Sequence, residues 1–297
     1  MAGQFPEWIR RTWGSGSDFG VTRGILDGLQ LHTVCQSARC PNIGECWRRR
    51  TATIMVLGNV CTRKCAFCGV RSAQSGQTLR APDPEEPGRV AEAVRRLELR
   101  HAVVTSVTRD DLADGGSGHF AATVETIRAV NPGCTVEVLT PDFQGSRAAV
   151  ETVMAAGPDV FGHNIETVER LYPVLRSPAH DYGRSLAVLK SAAAMAAASG
   201  GRTAVKSALM VGHGETPDEV RATLAGLLEA GCVAVCIGQY LRPGKAEREV
   251  AEFVTPEQFA AYERMAYAMG FAFAVAGPFV RSSYRAEELV NALKARH

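Results

Sequence analysis

Six of the nine cysteines in this 297-residue chain fall into two tight triplets, Cys35-x4-Cys40-x5-Cys46 and Cys61-x3-Cys65-x2-Cys68. Each triplet offers three thiolates, whereas a [4Fe–4S] cube has four irons, ordinarily each with a cysteine. Three thiolates leave one iron open, and an open iron is a place where chemistry can happen. Two such incomplete sites between Cys35 and Cys68 point to an iron–sulfur enzyme and away from an electron carrier. The competing chemistry is structural zinc. Zinc wants four closed ligands, commonly as CxxC pairs, and here each triplet would have to borrow its fourth from the other.

These residues need a scaffold. Hydrophobic residues make up 46% of the chain, enough for one core of ordinary size. After the second triplet, short apolar runs alternate with amphipathic stretches. Strands are expected at 53–57, 102–106, 135–139, 159–163, 204–211 and 233–240, with a short, late seventh at 272–276. Helices are expected at 89–99, 120–130, 146–156, 184–198, 217–230 and 256–269. Thr216-Pro-Asp-Glu219 and Thr255-Pro-Glu-Gln258 read as N-terminal caps with proline at the first helical position, and Gly231 and Gly270 as C-terminal stops. Such alternation is the signature of βαβ units around a parallel sheet. About six units imply an α/β fold of the partial (βα)6, TIM-like barrel kind. Its active site belongs at the carboxyl ends of the strands, and the second triplet follows the first strand directly.

Composition excludes several classes. A net charge of +2 and the lack of a basic-aromatic stripe speak against a nucleic-acid partner. The cluster Arg48-Arg49-Arg50 reads as a solvated loop before a docking patch. No run of 18 apolar residues predicts a membrane helix. The start, MAGQFPEWIRRTWG, lacks the apolar segment of a secretory leader, which favours a cytoplasmic protein. An odd number of cysteines at metal spacings argues against a disulfide framework. Cys134, Cys232 and Cys236 lie in apolar runs and read as buried packing residues.

The segment Cys61-Thr-Arg-Lys-Cys65-Ala-Phe-Cys68, with an aromatic residue before the last cysteine, resembles the radical S-adenosylmethionine (SAM) superfamily. Adding Cys35-Gln-Ser-Ala-Arg-Cys40-Pro-Asn-Ile-Gly-Glu-Cys46-Trp narrows the resemblance to the lipoyl synthase family. It continues through Thr105–Leu112, Asp114-Gly-Gly116, His163–Thr167, Lys206–Gly212, Gly214-Glu215-Thr216, Gly238–Leu241 and Arg281-Ser282-Ser283-Tyr284-Arg-Ala286, roughly residues 30–290. Three parts are expected: an N-terminal extension (1–50) with the first triplet, the partial barrel (51–276), and a tail (277–297) with Arg-Ser-Ser-Tyr.

The resemblance implies an enzyme that inserts two sulfur atoms, at C6 and C8, into an octanoyl chain amide-linked to a lysine of a carrier protein. It implies two [4Fe–4S] clusters. Cys61, Cys65 and Cys68 would hold one, whose open iron is chelated by the amino and carboxylate groups of SAM. Cys35, Cys40 and Cys46, with a tail serine, would hold the auxiliary cluster that gives up its sulfur. Ser282 is the first choice for that serine and Ser283 the second. An alkoxide is a harder and less usual iron ligand than thiolate, suited to an iron that must be released. Implied partners are octanoylated lipoyl domains of 2-oxoacid dehydrogenases, the glycine cleavage H protein, an electron donor such as ferredoxin or flavodoxin, and an iron–sulfur carrier.

For SAM itself, the expected contacts are Phe67 over the adenine, Thr105 at the second strand, and Asn164 and Glu166, which period-2 spacing puts on one face. Gln239 and Arg242 end the sixth strand and are expected to face the cavity, and Arg281 is expected to meet a carboxylate or orient substrate. Lys206 begins an apolar run, where an unpaired ammonium is costly. A cofactor or substrate carboxylate, or Glu215, would serve as its partner. Gly212-His213-Gly214-Glu215 lacks the Gly-Lys-Ser/Thr of a phosphate loop, and relatives ordinarily carry an apolar residue where this chain has His213. Two other classes stay open from sequence: a related sulfur inserter or methylthiotransferase with another acceptor, and a non-enzymatic iron–sulfur regulator.

Overall fold

A computed structural model describes residues 5–9, 17–284 and 286–294. One sheet of eight strands runs in chain order: β1 (His32–Thr33), β2 (Thr53–Val56), β3 (His101–Ser106), β4 (Thr135–Leu139), β5 (Val160–Gly162), β6 (Ala204–Val211), β7 (Ala234–Gln239) and β8 (Phe273–Gly277). Strands β2 to β8 are all parallel, and β1 pairs antiparallel with β2 at the edge. Helices α1 (Ser17–Gly28), α2 (Val34–Ser37) and α3 (Ile43–Arg48) precede β2. The crossover helices are α4 (Glu86–Arg96), α5 (Ser117–Val130), α6 (Arg147–Ala155), α7 (Tyr182–Ala198), α8 (Pro217–Glu229) and α9 (Pro256–Met269), and α10 (Ala286–Lys294) follows β8.

Parallel strands covered by helices are apolar on both faces. Accordingly Thr53, Ile54, Met55 and Val56 of β2 are all buried, as is every residue of β7. The helix faces that cover them carry Val90 and Val94, Phe120 and Ile127, Leu189, Leu224 and Phe259, all buried. Local signals fix the boundaries. Thr216 and Glu219 form a reciprocal capping box at the start of α8, and the Thr255 side chain accepts from the Gln258 N–H at the start of α9. Gly270 ends α9 with a φ of 115°, a conformation that favours glycine.

The late strand at 272–276 proves to be a full member of the sheet. β8 pairs Phe273–Gly277 with Ala234–Gly238, so the open barrel has seven parallel strands, the six expected βα units followed by β8. The layer order β1 to β8 leaves the sheet open between its first and last strands.

Lys206 is a correction. Its Nζ donates to both carboxylate oxygens of Glu137 on β4, at 2.8 and 3.0 Å, and both side chains are buried within the barrel. Burial disfavours each charge, but their mutual attraction outweighs it, lowering the Glu137 pKa and raising that of Lys206. Neither a cofactor carboxylate nor Glu215 is the partner. Glu215 instead accepts from the backbone N–H groups of Gly212 and His213. Cys134, Cys232 and Cys236 are buried, in line with their apolar surroundings.

Candidate active site

The second triplet occupies the loop after β2. Thr62 N donates to the Thr108 carbonyl at 3.0 Å, and Ala66 N to that of Leu175 at 2.8 Å. Arg248 N donates back to the Ala66 carbonyl at 2.8 Å. Gly69 lies against Pro243, where a Cβ would come within 2.8 Å of the ring. The strongest anchor is Arg63, between two of the cysteines. Its guanidinium, 1% exposed, donates in fork geometry to Asp110 (2.7 and 2.8 Å) and to Asp142 (2.9 and 2.8 Å). Burial works against its charge, but these hydrogen bonds outweigh it and raise its pKa. A bidentate guanidinium–carboxylate pair fixes direction as well as distance, so Arg63 ties the loop to the ends of β3 and β4.

The first triplet lies on α2 and α3 and the turn between them: Cys35 in α2, Cys40 after it, Cys46 in α3. Thr33 caps α2 by accepting from Gln36 N, and Trp47, 1% exposed, packs on Phe19 of α1 with ring centroids 5.0 Å apart. The chain's tail closes this end. Asn42 Nδ2 donates to the Phe279 carbonyl at 2.7 Å, Tyr284 Oη to Glu45 Oε1 at 3.3 Å, and Thr53 Oγ1 to Ser283 Oγ at 2.8 Å. Where the tail crosses β7, Gly238 makes room: a methyl group there would run into the Val280 carbonyl.

All six triplet cysteines, Ser282 and Ser283 line one cavity, with about 1750 Å³ of empty space including its open mouth. The barrel contributes the carboxyl ends of its strands, among them Thr105, Thr140, Asn164, Met210 and Tyr240. The six thiols are free. Burial raises Cys35 to about 11 and Cys68 to about 12, and Cys65 likewise upward, each helped by a neighbouring thiol or carboxylate. Unmetallated, these thiols stay protonated; bound irons invert that preference. Among the described residues no three Cys, His, Asp or Glu side chains converge on one point as a single ion requires. A cube spreads its ligands over different irons, so convergence is not needed there. Thiols from both triplets around shared empty space, together with two serines, fit the donor set of two iron–sulfur clusters.

Most expected SAM contacts reach this cavity. Phe67, Thr105, Asn164 and Glu166 line it, as does Arg281. Thr105 Oγ1 donates to the Leu139 carbonyl at 2.8 Å, and Asn164 Nδ2 to Glu166 Oε1 at 3.3 Å. Glu166 is held at a φ of 70° with its N–H on the Ala208 carbonyl, a costly backbone for a non-glycine residue and a common one at binding sites. Burial raises its pKa, opposed by the Arg176 charge.

Gln239 and Arg242 do not reach the cavity. Gln239 is fully buried, donating to the carbonyls of Val211, Tyr240 and Glu252 and accepting from Val254 N. It stitches the strand end to the following loop because its amide matches four backbone groups there. Arg242 turns onto its own loop, bonding the Glu247 and Lys245 carbonyls and Glu249. His213 is 2% exposed and stacks on Tyr240 with centroids 4.2 Å apart, and neither ring nitrogen has a partner.

Sequence reasoning missed Arg63, Arg176, His180 and Tyr240. Arg63 had a signal, a cation inside a cysteine loop followed by Asp110 and Asp142 just past two strands. Arg176 and His180 lie in an irregular stretch with no periodicity to read.

Comparison with known proteins agrees with this geometry. The Radical SAM superfamily model matches residues 55–226. Lipoyl synthase of Rubrobacter xylanophilus is 50% identical over 95% of this chain and 85% of its own, and that of Caldanaerobacter subterraneus 51% identical over 95% of each. The [FeFe]-hydrogenase maturase HydG shares the fold with a TM-score of 0.61 at 15% identity, over 93% of this chain and 67% of its own. An open parallel barrel with a three-cysteine loop at its carboxyl rim thus defines a radical SAM enzyme. Within that superfamily the chain belongs to the lipoyl synthase family, whose members use SAM and [4Fe–4S] clusters. No helix among the described residues is long and apolar enough to cross a membrane.

Proposed function

We propose that this protein adds sulfur at C6 and C8 of an octanoyl group amide-linked to a lysine of a lipoyl-carrier protein. Cys61, Cys65 and Cys68 hold the SAM-binding cluster, and Cys35, Cys40, Cys46 and Ser282 hold the auxiliary one. The observation that carries this is the shared cavity: both triplets and the tail serines open onto the same space. When bound, SAM and its cluster supply hydrogen-atom abstraction at unactivated carbon, and the auxiliary cluster supplies sulfur.

The protein's own groups bind, orient and exclude water. Arg63 fixes the second triplet against Asp110 and Asp142. Asn164 and Glu166 offer the polar pair for the adenosyl moiety, and Phe67 an apolar wall. Ser282 is favoured over Ser283 because Ser283 Oγ already accepts from Thr53 Oγ1, while the Ser282 backbone carbonyl is anchored by the Cys236 thiol at 3.8 Å. The N-terminal extension (1–50), barrel (51–276) and tail (277–297) act together, since Asn42–Phe279 and Tyr284–Glu45 close the first triplet's end of the cavity. Octanoylated lipoyl domains and the glycine cleavage H protein are the carriers, ferredoxin or flavodoxin the electron donor, and a separate iron–sulfur carrier restores the spent cluster, all in the cytoplasm.

The test is mass spectrometry of an octanoyl-lysine carrier peptide after anaerobic incubation with the reconstituted protein, SAM and reductant. Two sulfurs gained is the expected result. An unchanged peptide with SAM consumed sinks this acceptor.

A further inference from the structure

His180 belongs to no motif, yet its side chain is 4% exposed and lines the main cavity. Its Nδ1 lies 2.7 Å from Arg63 Nη1 and 2.9 Å from Arg176 Nη2. Guanidinium groups only donate, so Nδ1 must be a bare acceptor. Asp142 Oδ2 is 3.5 Å from the same nitrogen, well outside the 2.7 and 2.9 Å of the two guanidinium donors, and its carboxylate only partly offsets their effect on the ring. The ring is therefore neutral with its single proton on Nε2. Burial and the two neighbouring guanidiniums keep it so, pushing its pKa down to about 4. Among the described residues no protein group accepts from Nε2, and that nitrogen is not among the sealed, unpartnered atoms. It is a donor of fixed tautomer facing open space.

Arg176 stands beside it. Its guanidinium also lines the cavity, its Nε is buried without a partner, and its charge acts on both Cys65 and Glu166. Two donors, one of them cationic, next to a cysteine of the second triplet call for an anionic oxygen. A ribose hydroxyl is served instead by the acceptor Glu166 and its neighbour Asn164.

We propose that His180 is a cofactor-binding residue whose Nε2–H, paired with Arg176, donates to the carboxylate of the methionyl moiety of SAM. Its Nδ1 meanwhile takes Arg63 from the cysteine loop and Arg176 from the cavity wall, so one imidazole registers the loop against the ligand. This role presupposes that the cavity takes SAM, as proposed above.

Two substitutions separate the ring's two edges. His180→Asn keeps an acceptor where Nδ1 stands and leaves nothing at Nε2. His180→Gln puts an amide nitrogen where Nε2 stands and gives up the acceptor. Dissociation constants of S-adenosylhomocysteine and of 5′-deoxyadenosine, which lacks the carboxylate, are measured by calorimetry on the cluster-loaded proteins. Iron content and melting temperature are recorded alongside. His180→Asn is expected to weaken S-adenosylhomocysteine at least about tenfold, the worth of one hydrogen bond to a charged acceptor, and 5′-deoxyadenosine by less than about twofold. His180→Gln is expected to restore S-adenosylhomocysteine binding. Equal weakening of both ligands, or none of either, overturns the assignment. Should His180→Asn lose iron, His180→Gln decides alone: selective loss of S-adenosylhomocysteine there overturns it, and retention supports it. A cluster-loaded wild-type protein that binds neither ligand refutes SAM binding by the cavity, a failure distinct from that of His180.

Discussion

Replacing Lys206 by Met separates a scaffold role from a cofactor role. In the structure Lys206 spends both charge and hydrogen bonds on Glu137, inside the barrel, with His101 Nε2 only 3.6 Å from the same carboxylate. Removing the lysine strands a fully buried carboxylate. Breaking such a pair typically costs about 3–5 kcal/mol. At about 2 °C per kcal/mol for a chain of this size, Lys206→Met should lower the melting temperature by roughly 6–10 °C. The double variant Lys206→Met with Glu137→Leu removes both charges and fills the space with apolar atoms. Exchanges of that kind are often neutral or stabilising, so most of the loss should return. The assay is thermal unfolding of all three variants, followed by calorimetric binding of S-adenosylhomocysteine to the double variant loaded with iron. Stability restored together with unchanged affinity is the expected result. A double variant that melts like wild type yet no longer binds the ligand would refute the scaffold role and return Lys206 to the cofactor.

The remaining expectations concern the barrel, its cavity and the tail. His213→Leu should stabilise the protein by about 1–3 kcal/mol, since it removes two buried nitrogens that bond nothing; a lower melting temperature would mean that a partner occupies that place. His163, His180 and His213 each have a pKa pushed down to about 4 by burial. Unfolding takes up protons at each of them between about pH 6.5 and 4, so the stability they allow is complete above pH 6.5 and falls as pH drops toward 4. Urea unfolding at pH 7.5 and 5.5 should show that loss, and a flat profile would contradict it. Gly238→Ala should push the Val280 carbonyl and the tail off β7, leaving a folded protein with about half its iron and an intact SAM-cleaving site, read by iron analysis and SAM turnover. Ser282→Ala should abolish sulfur insertion while sparing SAM cleavage, and Ser283→Ala should retain most of it; the reverse ranking would make Ser283 the ligand.

How much of this was legible in the residues follows from what kind of force places each one. The sheet was readable because β2, β3 and β6 are largely apolar runs between caps such as Thr216–Glu219, so burial and local hydrogen bonding agree. The cysteines were readable because metal ligands come at short fixed spacings. Lys206 and Gln239 misled for one shared reason. A polar residue in an apolar run must find a partner, but sequence does not say whether that partner is a ligand or another strand. For Lys206 it is Glu137, 69 residues away on β4, and for Gln239 it is backbone up to 28 residues away. His180 and Arg63 show the converse. Each sits in irregular chain, where no period marks a face, and each gains its meaning only when β3, β4 and the cysteine loop meet. Asp110 is 47 residues from Arg63, Asp142 is 79 and His180 is 117. A charge network assembled over such distances imposes no pattern on any one segment. Arg63 demands its two carboxylates because a buried guanidinium without them would be costly, and that guanidinium, with Arg176, leaves the imidazole only one tautomer to adopt. The donor at Nε2 is therefore a consequence of how the loop is held, and a change made to hold the loop differently, such as Arg63→Lys, should alter ligand affinity as well as cluster retention.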